Sequence, residues 1–408
     1  MKRINLIVSA ALVLSFVSTT NTSAQWVYRS NYSEGLACVQ DANHKWGFID
    51  KTGKVVIPCQ WKYANDFREG MATVEDNNKW GLIDKTGKVI SPCQWETAEV
   101  FSDNLIKVRD ANNKYGFIDK TGKIVSPCQW KDVGHFVEGL VRVQDANNKW
   151  GFIDKTGKVV IPCQWTHADD FREGMAMVLG AKYKYGFIDK TGKLVVSCKW
   201  KRVEKFSEGL ALVVGARYKR GFIDKTGKVV IRCSWKEAGS FHEGLAPVED
   251  TKGKNSYIDK TGKVVIPCQH QWTSVGFFCE GLARVRNANN QRGYIDKTGK
   301  AVIPCQWKDG WDFLEGIAVV KDSNDKYGFI DKTGKVISPC KWKKTELFKE
   351  GLALVKDDSN KYGFIDKTGV LVVPCKWKYA WSFNEGLALV EDDNGNCYFI
   401  DKTGKIVL

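Results

Sequence analysis

The sequence is poor in histidine, and the histidines it has follow no pattern that a reaction or a metal would need. They are His44, His135, His167, His242 and His270, and no metal-ligand, Ser-His-Asp or paired-carboxylate spacing stands out. A catalytic site needs a few groups in different environments, so that an acid and a base acquire different pKa values. The acidic residues here recur in near-identical settings, which indicates structural roles. We therefore expect no catalysis, no bound metal and no cofactor.

Long apolar runs are also missing, with one exception at the N-terminus. Lys2 and Arg3 precede an apolar run over residues 4–17, and small residues at 22–24 offer a cleavage site before Gln25. This is the pattern of a secretory signal peptide. The run falls short of the roughly 20 residues that cross a membrane as a helix. The sequence predicts a signal peptide over residues 1–24, no membrane span, and a mature chain that is periplasmic, on the cell surface or secreted.

What the sequence has in abundance is repetition. The pentapeptide Ile-Asp-Lys-Thr-Gly occurs eleven times, at intervals of 34 or 35 residues with one interval of 37. An acidic-Gly-hydrophobic element precedes each copy, as in Glu34-Gly35-Leu36, with Asp103-Asn104-Leu105 as the weak copy. Cys-x-Trp follows nine copies, and a tenth has the longer form Cys268-x-x-x-Trp272. Such a period indicates a repeat array, here over residues 25–408. A two-residue insertion around His270 and Gln271 predicts a sub-boundary near residues 268–278.

One unit predicts three antiparallel strands, with a fourth left open. Short apolar segments alternate with polar turns, and Asp-Lys-Thr-Gly fits a type I turn whose glycine takes a positive φ. We expect Pro58 to end the third strand, and residues 61–67 to be a loop or a weak fourth strand. Both faces of the strands carry apolar residues, so neighbouring units must cover them. Eleven units exceed the four to eight blades typical of a propeller. We therefore favour an all-β open superhelical stack over propeller-like closure.

The repeated segments resemble the bacterial WG-repeat family. The resemblance rests on Lys-Trp-Gly-Phe-Ile-Asp-Lys-Thr-Gly-Lys-Val-Val-Ile-Pro, at residues 45–58 and 149–162, and on Phe-x-Glu-Gly-Leu-Ala at residues 206–211. It implies an all-β repeat domain, common in exported proteins, and no shared activity or catalytic residue. This chain departs from the pattern because Trp-Gly survives only at Trp46, Trp80 and Trp150. Tyrosine or arginine stands there in six further copies, at Tyr115, Tyr185, Tyr327, Tyr362, Arg220 and Arg292.

The net charge of +15 makes an anionic partner worth weighing. The Asp-Lys-Thr-Gly-Lys turns contribute twenty-one lysines against eleven aspartates, which is ten of the fifteen excess charges. If the units stack, these lysines form a basic edge that either stays solvated or binds a polyanionic glycan. Its candidate residues are Lys51, Lys54, Lys85, Lys88, Lys120, Lys123, Lys155, Lys158, Lys190, Lys193, Lys225 and Lys228. Nucleic acid is an unlikely partner for an exported chain.

Cysteine and tryptophan are frequent but regularly placed. Ten of the thirteen cysteines share one position of the repeat, nine of them in Cys-x-Trp and the tenth at Cys268. Stacked sheets lie about 10 Å apart, farther than a disulfide can reach. We expect free, buried thiols there, with any disulfide among Cys38, Cys279 and Cys397. The Cys-x-Trp tryptophans are expected to pack between units. Trp311 and Trp381 fall outside the pattern and are candidate surface aromatics.

Two functional hypotheses follow from the sequence. The leading one is an exported, non-catalytic scaffold that presents an extended surface to a protein or another ligand. The alternative is a module that binds glycans or other envelope polyanions through the lysine-rich turns.

Overall fold

The computed structural model describes residues 26–100, 105–267 and 272–408, and the regular structure of these residues is almost entirely β. They form eleven small antiparallel sheets, ten with four strands and the last with three. Each sheet is a meander, because its strands pair in chain order. We call the sheets blades 1 to 11. The predicted signal peptide lies outside the described residues.

The strand bounds repeat from blade to blade. The first strands are Tyr28–Arg29, Tyr63–Ala64, Thr97–Val100, Asp132–Val137, His167–Ala168, Arg202–Val203, Glu237–Ala238, Ser274–Cys279, Asp309–Gly310, Lys344–Thr345 and Tyr379–Ala380. The second strands are Leu36–Gln40, Met71–Asp76, Leu105–Arg109, Leu140–Gln144, Met175–Leu179, Leu210–Val214, Ala246–Glu249, Leu282–Arg286, Ile317–Lys321, Leu352–Lys356 and Ala388–Glu391.

The third strands are Trp46–Asp50, Lys79–Asp84, Tyr115–Asp119, Trp150–Asp154, Tyr185–Asp189, Arg220–Asp224, Asn255–Ile258, Arg292–Asp296, Tyr327–Asp331, Tyr362–Asp366 and Cys397–Ile400. The fourth strands are Val55–Trp61, Val89–Trp95, Ile124–Trp130, Val159–Trp165, Leu194–Trp200, Val229–Trp235, Val264–Ile266, Ala301–Trp307, Val336–Trp342 and Leu371–Trp377. Two short 3-10 turns, Ala181–Tyr183 and Ala216–Tyr218, complete the regular structure of the described residues.

The segment that the sequence leaves open between Trp61 and Phe67 contains a strand of the following blade. Tyr63 and Ala64 pair with Glu75 and Val74 of the second strand of blade 2. Only one residue therefore separates the fourth strand of one blade from the first strand of the next. This short crossing fixes successive blades side by side and gives four strands to a unit.

The Asp-Lys-Thr-Gly turn forms as predicted. In blade 1 the Gly53 amide donates to Asp50 O at 2.9 Å, and Gly53 has a φ of +81°, which glycine adopts without strain. Asp50 Oδ1 also accepts the Thr52 amide at 2.8 Å and the Thr52 hydroxyl at 2.6 Å. The hydrogen bond from this hydroxyl is the main reason that the pKa of Asp50 lies below its usual value. The aspartate and the threonine therefore fix the turn that the glycine permits.

The glycine of the Trp-Gly pair has a different role, because it lets the fourth strand pass close by. A Cβ on Gly47 would lie 2.5 Å from Ile57 O and 2.7 Å from the Cys59 amide nitrogen. The pairing register shifts at this place, so the fourth strand bulges there. Pro58 lies inside this bulged edge strand, so the expectation that it ends the strand is wrong. An edge strand tolerates proline since the missing amide would have no partner on that side.

The hydrophobic core lies between blades. One face of blade 10, with Leu352, Leu354 and Phe364, packs on Ala388 and Val390 of blade 11. The other face of blade 10, with Ala353, Val355 and Ile365, packs on blade 9. Aromatic rings meet edge to face across these interfaces, as Phe364 and Phe383 do with ring centroids 4.8 Å apart. The prediction that apolar strands are covered on both faces by neighbours is confirmed.

The last interface joins blade 11 to blade 1 and closes the array. Leu389 and Phe399 of blade 11 pack on Ala37, Val39 and Ile49 of blade 1, which are the counterparts of the residues joining blades 10 and 11. Tyr32 and Phe399 also repeat the aromatic contact, with centroids 4.6 Å apart. The fold is therefore an eleven-bladed β-propeller.

The favoured open stack is wrong, and the propeller-like alternative is correct. The number of blades in a ring depends on the small rotation between neighbouring blades. Side-chain packing determines this rotation, and the period of the sequence repeat does not reveal it. The ring also closes without a strand from one end of the chain joining the sheet at the other end. Residues near the C-terminus complete blade 11 locally, where the Val407 amide donates to Phe399 O at 2.8 Å.

The insertion lies between blades 7 and 8. Residues 268–271, which include Cys268, His270 and Gln271, are outside the described part of the chain. Leu245 and Tyr257 of blade 7 nevertheless pack on Ala283 and Val285 of blade 8, as in the other interfaces.

A glycine-to-alanine substitution tests the close passage of the fourth strand. At Gly363 a Cβ would meet Val373 O at 2.5 Å and the Cys375 amide nitrogen at 2.8 Å. Gly363→Ala is therefore expected to lower the free energy of unfolding by about 2–3 kcal/mol, since backbone must move. Ser256→Ala, at the same position of blade 7, is the control and should change it by less than about 1 kcal/mol. Equal effects in urea denaturation would contradict the role given to this glycine.

Candidate binding surfaces

The blades expose two different ends. Because neighbouring strands are antiparallel, the Asp-Lys-Thr-Gly turns emerge at the same end as the connections between first and second strands. We call this end of the ring the hairpin face. The turns between second and third strands emerge at the other end, together with the one-residue crossings between blades. We call that end the crossing face.

In the described residues, eight glutamates link one blade to the next on the hairpin face. Glu208 of blade 6 accepts a hydrogen bond from the Gly244 amide of blade 7 at 3.0 Å. Its Oε2 also lies 3.0 Å from Lys260 Nζ, the first lysine of the blade 7 turn. Glu385 makes the same contacts across the ring closure, with the Gly35 amide at 2.8 Å and Lys51 Nζ at 3.2 Å. We call this arrangement the glutamate link.

The surroundings of a link glutamate favour its charged, deprotonated form. Burial raises the pKa of Glu208, but the hydrogen bonds from Lys260 and from the Gly244 amide outweigh it, so the net pKa is lowered. Glu34 is similar: burial raises its pKa, and bonds from the Gly70 amide and Lys85 lower it further than burial raises it. These carboxylates are therefore ionised at neutral pH, and each neutralises the lysine beside it.

The predicted lysine edge divides into two classes. The first lysine of the turn belongs to the glutamate link, as Lys51, Lys85, Lys190 and Lys225 show. Lys120 and Lys155 occupy the same turn position in blades 3 and 4. The second lysines are exposed, and within the described residues no ion pair is recorded for them: Lys54, Lys88, Lys123, Lys158, Lys193 and Lys228.

The glutamates also change the charge balance of the hairpin face. The turns alone hold twenty-one lysines and eleven aspartates, but the acidic-Gly elements at the same end add ten glutamates. Acidic and basic groups of these elements are then equal in number, at twenty-one each. The net charge of +15 must therefore reside mainly elsewhere on the molecule. Sequence reasoning missed this because it counted the turns without the glutamates that pair with them.

The two candidate surface aromatics are exposed on the hairpin side of blades 9 and 11. Trp311 and Trp381 follow the first strands of their blades and are 39% and 42% exposed. Blade 10 has Glu346 at the equivalent position, and its carboxylate accepts a hydrogen bond from the Ser382 hydroxyl at 2.7 Å. Among the described residues no ring contact joins the two tryptophans; Trp311 instead packs against Tyr327, with ring centroids 5.7 Å apart, and lines a groove.

The groove lies between blades 9 and 10 and has a volume of about 820 Å³. It is lined by Trp311, Leu314, Tyr327, Leu347 and Phe348, with Ser382 at its far side. Leu314 and Leu347 are about half exposed, at 52% and 50%. Exposed aliphatic and aromatic side chains in one concave place are unusual on a polar surface and mark a contact site. Sequence reasoning named Trp311 but missed Leu314 and Leu347. Most other repeats have a polar residue at these two positions, and that difference was the available signal.

The cysteines of Cys-x-Trp are partly buried, and the twelve cysteines that the structure describes are all free thiols. Cys163 Sγ lies 3.7 Å from Val143 O of its own blade. Burial raises the pKa of Cys163 to about 11, so the thiol is protonated and unreactive at neutral pH. Cys38, Cys279 and Cys397, outside this series, are also free in the structure.

The tryptophans of Cys-x-Trp pack between blades, as expected. Trp377 of blade 10 is buried against Phe383 and Val390 of blade 11. In blades 2, 3 and 9 a serine replaces the usual Ile or Val four residues earlier, and the indole N–H donates to it, as Trp130 does to Ser126 at 3.0 Å. These tryptophans thus contribute to the packing between blades.

Metal-binding groups do not gather at a site in the described residues. No cluster of three or more His, Cys, Asp or Glu side chains is arranged there to hold a metal ion. His167 Nε2 lies 3.8 Å from Asp169, and the ring of His242 stacks on Phe277 with centroids 4.4 Å apart. None of the described segments forms a helix with the length and hydropathy of a membrane span.

Comparison with solved structures gives only remote similarities. A computationally designed protein, Ika8, is 12% identical, with 66% of this chain and 95% of that chain covered and a TM-score of 0.34. BamB from Moraxella catarrhalis is 10% identical, with 74% and 95% covered and a TM-score of 0.34. The extracellular domain of a one-component system from B. thetaiotaomicron is 10% identical, with 93% and 70% covered and a TM-score of 0.24. No curated protein matches the chain.

The repeated blades and the linked ring define a class of protein, a β-repeat scaffold. The WG containing repeat matches ten times in succession, over residues 46–80, 80–115, 115–150, 150–179, 185–214, 221–254, 256–290, 293–327, 327–361 and 362–396. The chain belongs to the family of WG-repeat proteins.

A double-mutant cycle tests whether the glutamate link closes the ring. Glu385→Gln, Lys51→Met and the double variant probe the closure, and Glu208→Gln with Lys260→Met probes an interior interface. In a closed ring both pairs should show the same coupling energy, about 0.5 kcal/mol for partly exposed pairs, in urea denaturation. A coupling energy that is present for Glu208 and Lys260 and absent for Glu385 and Lys51 would mean that the ends are apart.

Proposed function

We propose that this protein is an exported, non-catalytic scaffold that binds a partner through the groove between blades 9 and 10. The observation that carries the proposal is the concentration of exposed apolar side chains at Trp311, Leu314 and Leu347. Covering them would remove apolar surface from water and supply binding free energy. An aromatic side chain at the centre of such a groove is the usual anchor of an interface.

Export is part of the proposal and rests on the N-terminal sequence. A basic start, an apolar run and small residues before Gln25 form the expected signal. A mature chain that begins at Gln25 in mass spectrometry supports export, whereas an intact Met1 in the located protein contradicts it.

The absence of catalysis is proposed from the sameness of the blades. Acidic groups recur as turn aspartates and link glutamates, each held by the same partners, so they offer no acid and base with different properties. Turnover that is lost on deleting His270 and Gln271 would contradict this part of the proposal.

The groove is tested by affinity capture with envelope extract. The variant Trp311→Ser with Leu347→Ser removes apolar contact area and should lose the captured partner by at least about tenfold. Ile124→Ser is the matched control, because Ile124 is an exposed aliphatic residue, 56% exposed, on blade 3. The control should retain the partner that the wild-type protein retains. If the groove variant captures as much of every species as the wild-type protein, the groove is not the binding site.

Binding of a polyanion by the hairpin lysines is the second candidate. The second lysines of the turns, such as Lys54 and Lys88, are exposed and have no recorded ion pair in the described residues. The near-balance of charge on the hairpin face weakens this candidate, since long-range attraction depends on net local charge. Substituting these lysines is therefore included as the control in the experiment that follows.

A further inference from the structure

Two turns on the crossing face, in blades 5 and 6, depart from the common pattern. The common turn is Asp-Ala-Asn-Asn-Lys, as at residues 145–149, where Asp145 Oδ1 accepts the amides of Asn147 at 2.9 Å and Lys149 at 2.8 Å. Blades 5 and 6 have Gly-Ala-Lys-Tyr-Lys at residues 180–184 and Gly-Ala-Arg-Tyr-Lys at residues 215–219. Glycine removes the carboxylate that organises the turn, and each turn gains a basic residue and a tyrosine.

The two tyrosines are presented to solvent in an unusual backbone conformation. Tyr183 is 81% exposed and Tyr218 is 71% exposed, more than any other large apolar side chain in the described residues. Their φ angles are +53° and +58°, and the preceding Lys182 and Arg217 also have positive φ. Asn113 and Asn148 also have a positive φ at the tyrosine position of their turns, so this conformation is common to the turn. What blades 5 and 6 change is to place there a bulky ring, for which left-handed geometry is costly. The fold therefore holds these rings outward without gaining burial from them.

The tyrosines stand among basic side chains that are not neutralised. Seven basic residues of blades 5 and 6 have no ion pair recorded in the described part of the chain: Lys182, Lys184, Lys199, Lys201, Arg202, Arg217 and Lys219. Glu237, the nearby acid, is engaged by Arg220 at 2.7 Å. Lys201 Nζ lies 4.0 Å from the centre of the Tyr218 ring, so the ring is held beside a positive charge.

Part of this set lines an open groove on blade 6, which has a volume of about 510 Å³ and is bounded by Lys201, Arg202, Arg217, Tyr218 and Lys236. Tyr183 belongs to the neighbouring turn of blade 5 and is not among the residues that line the groove. Unlike the hairpin face, where glutamates balance lysines, this surface carries an excess of positive charge together with flat aromatic rings. Such a surface suits a polymer that alternates anionic groups with faces able to stack on an aromatic ring.

We propose that blades 5 and 6 bind an acidic polysaccharide on the crossing face. Lysines and arginines contact its carboxylate or sulfate groups, and Tyr183 and Tyr218 pack against the sugar rings. Single-stranded nucleic acid has a similar combination of charge and stacking. The polysaccharide is chosen because the N-terminal sequence predicts export, so this choice rests on the export part of the proposed function. It does not depend on the groove between blades 9 and 10.

The experiment measures the affinity of the full chain for defined polymers. The probes are heparin, polygalacturonate, neutral dextran and a single-stranded oligothymidylate, each at about 50 and 300 mM NaCl. The wild-type protein should bind an acidic polysaccharide at low salt, more weakly at high salt, and should not bind dextran. Lys182→Gln, Lys201→Gln and Arg217→Gln together should weaken this binding by at least about tenfold and reduce its salt dependence. Tyr183→Ala with Tyr218→Ala should weaken it about fivefold while leaving its salt dependence unchanged.

The control removes the same number of charges from the other face. Lys54→Gln, Lys88→Gln and Lys123→Gln should change the affinity by less than about twofold, because these lysines lie on the hairpin face. Equal loss in both triple variants would overturn the site and indicate attraction by net charge alone. Loss in the control alone would assign binding to the hairpin lysines. Tighter binding of oligothymidylate than of either acidic polysaccharide would overturn the choice of ligand, and failure to bind any polymer would overturn the proposal.

Discussion

The packing of each blade against its neighbours is the constraint on which the structure depends. A blade has apolar residues on both faces, so a blade with an open face would expose a surface such as Leu352, Leu354 and Phe364. Closure removes this problem for the first and last blades, because Phe399 and Leu389 meet Ala37 and Ile49 as any other pair of faces meets. Closure therefore leaves neither the first nor the last blade with an apolar face exposed to solvent. The glutamate link adds direction to this packing, since carboxylates such as those of Glu208 and Glu385 join an amide and a lysine of the next blade.

Much of this fold could be predicted from the sequence because short segments of the chain determine it. The turn at Asp50 needs a carboxylate, a threonine and a glycine within four consecutive residues, and the repeated sequence contains all three. Alternating apolar residues on both strand faces likewise predicted covered sheets. Closure could not be predicted in this way, because it depends on a rotation between blades that packing determines. The structural place of Pro58 also escaped prediction, since a bulged edge strand has no clear sequence pattern.

The candidate surfaces were predictable to a smaller extent. Trp311 stood out because it interrupts a repeated pattern, and the structure places it in a groove with Leu347. The lysine edge was expected from the turns alone, but Lys51 and its counterparts are paired with glutamates of the adjacent blade. That pairing joins residues of different repeats and needs the blades to be in register. Tyr183 and Tyr218 carried the same kind of signal as Trp311, a departure from a repeated turn. In a molecule built from copies, the residues that differ between copies are the ones to examine for binding.

The central claim is that eleven equivalent interfaces close the chain into one ring. Electron microscopy of the purified full chain, with class averages viewed along the ring axis, tests this claim most directly. The account predicts a closed ring of eleven blades, with no gap between the blade that begins at Tyr28 and the blade that begins at Tyr379. An open arc or a superhelical rod in the class averages would contradict it.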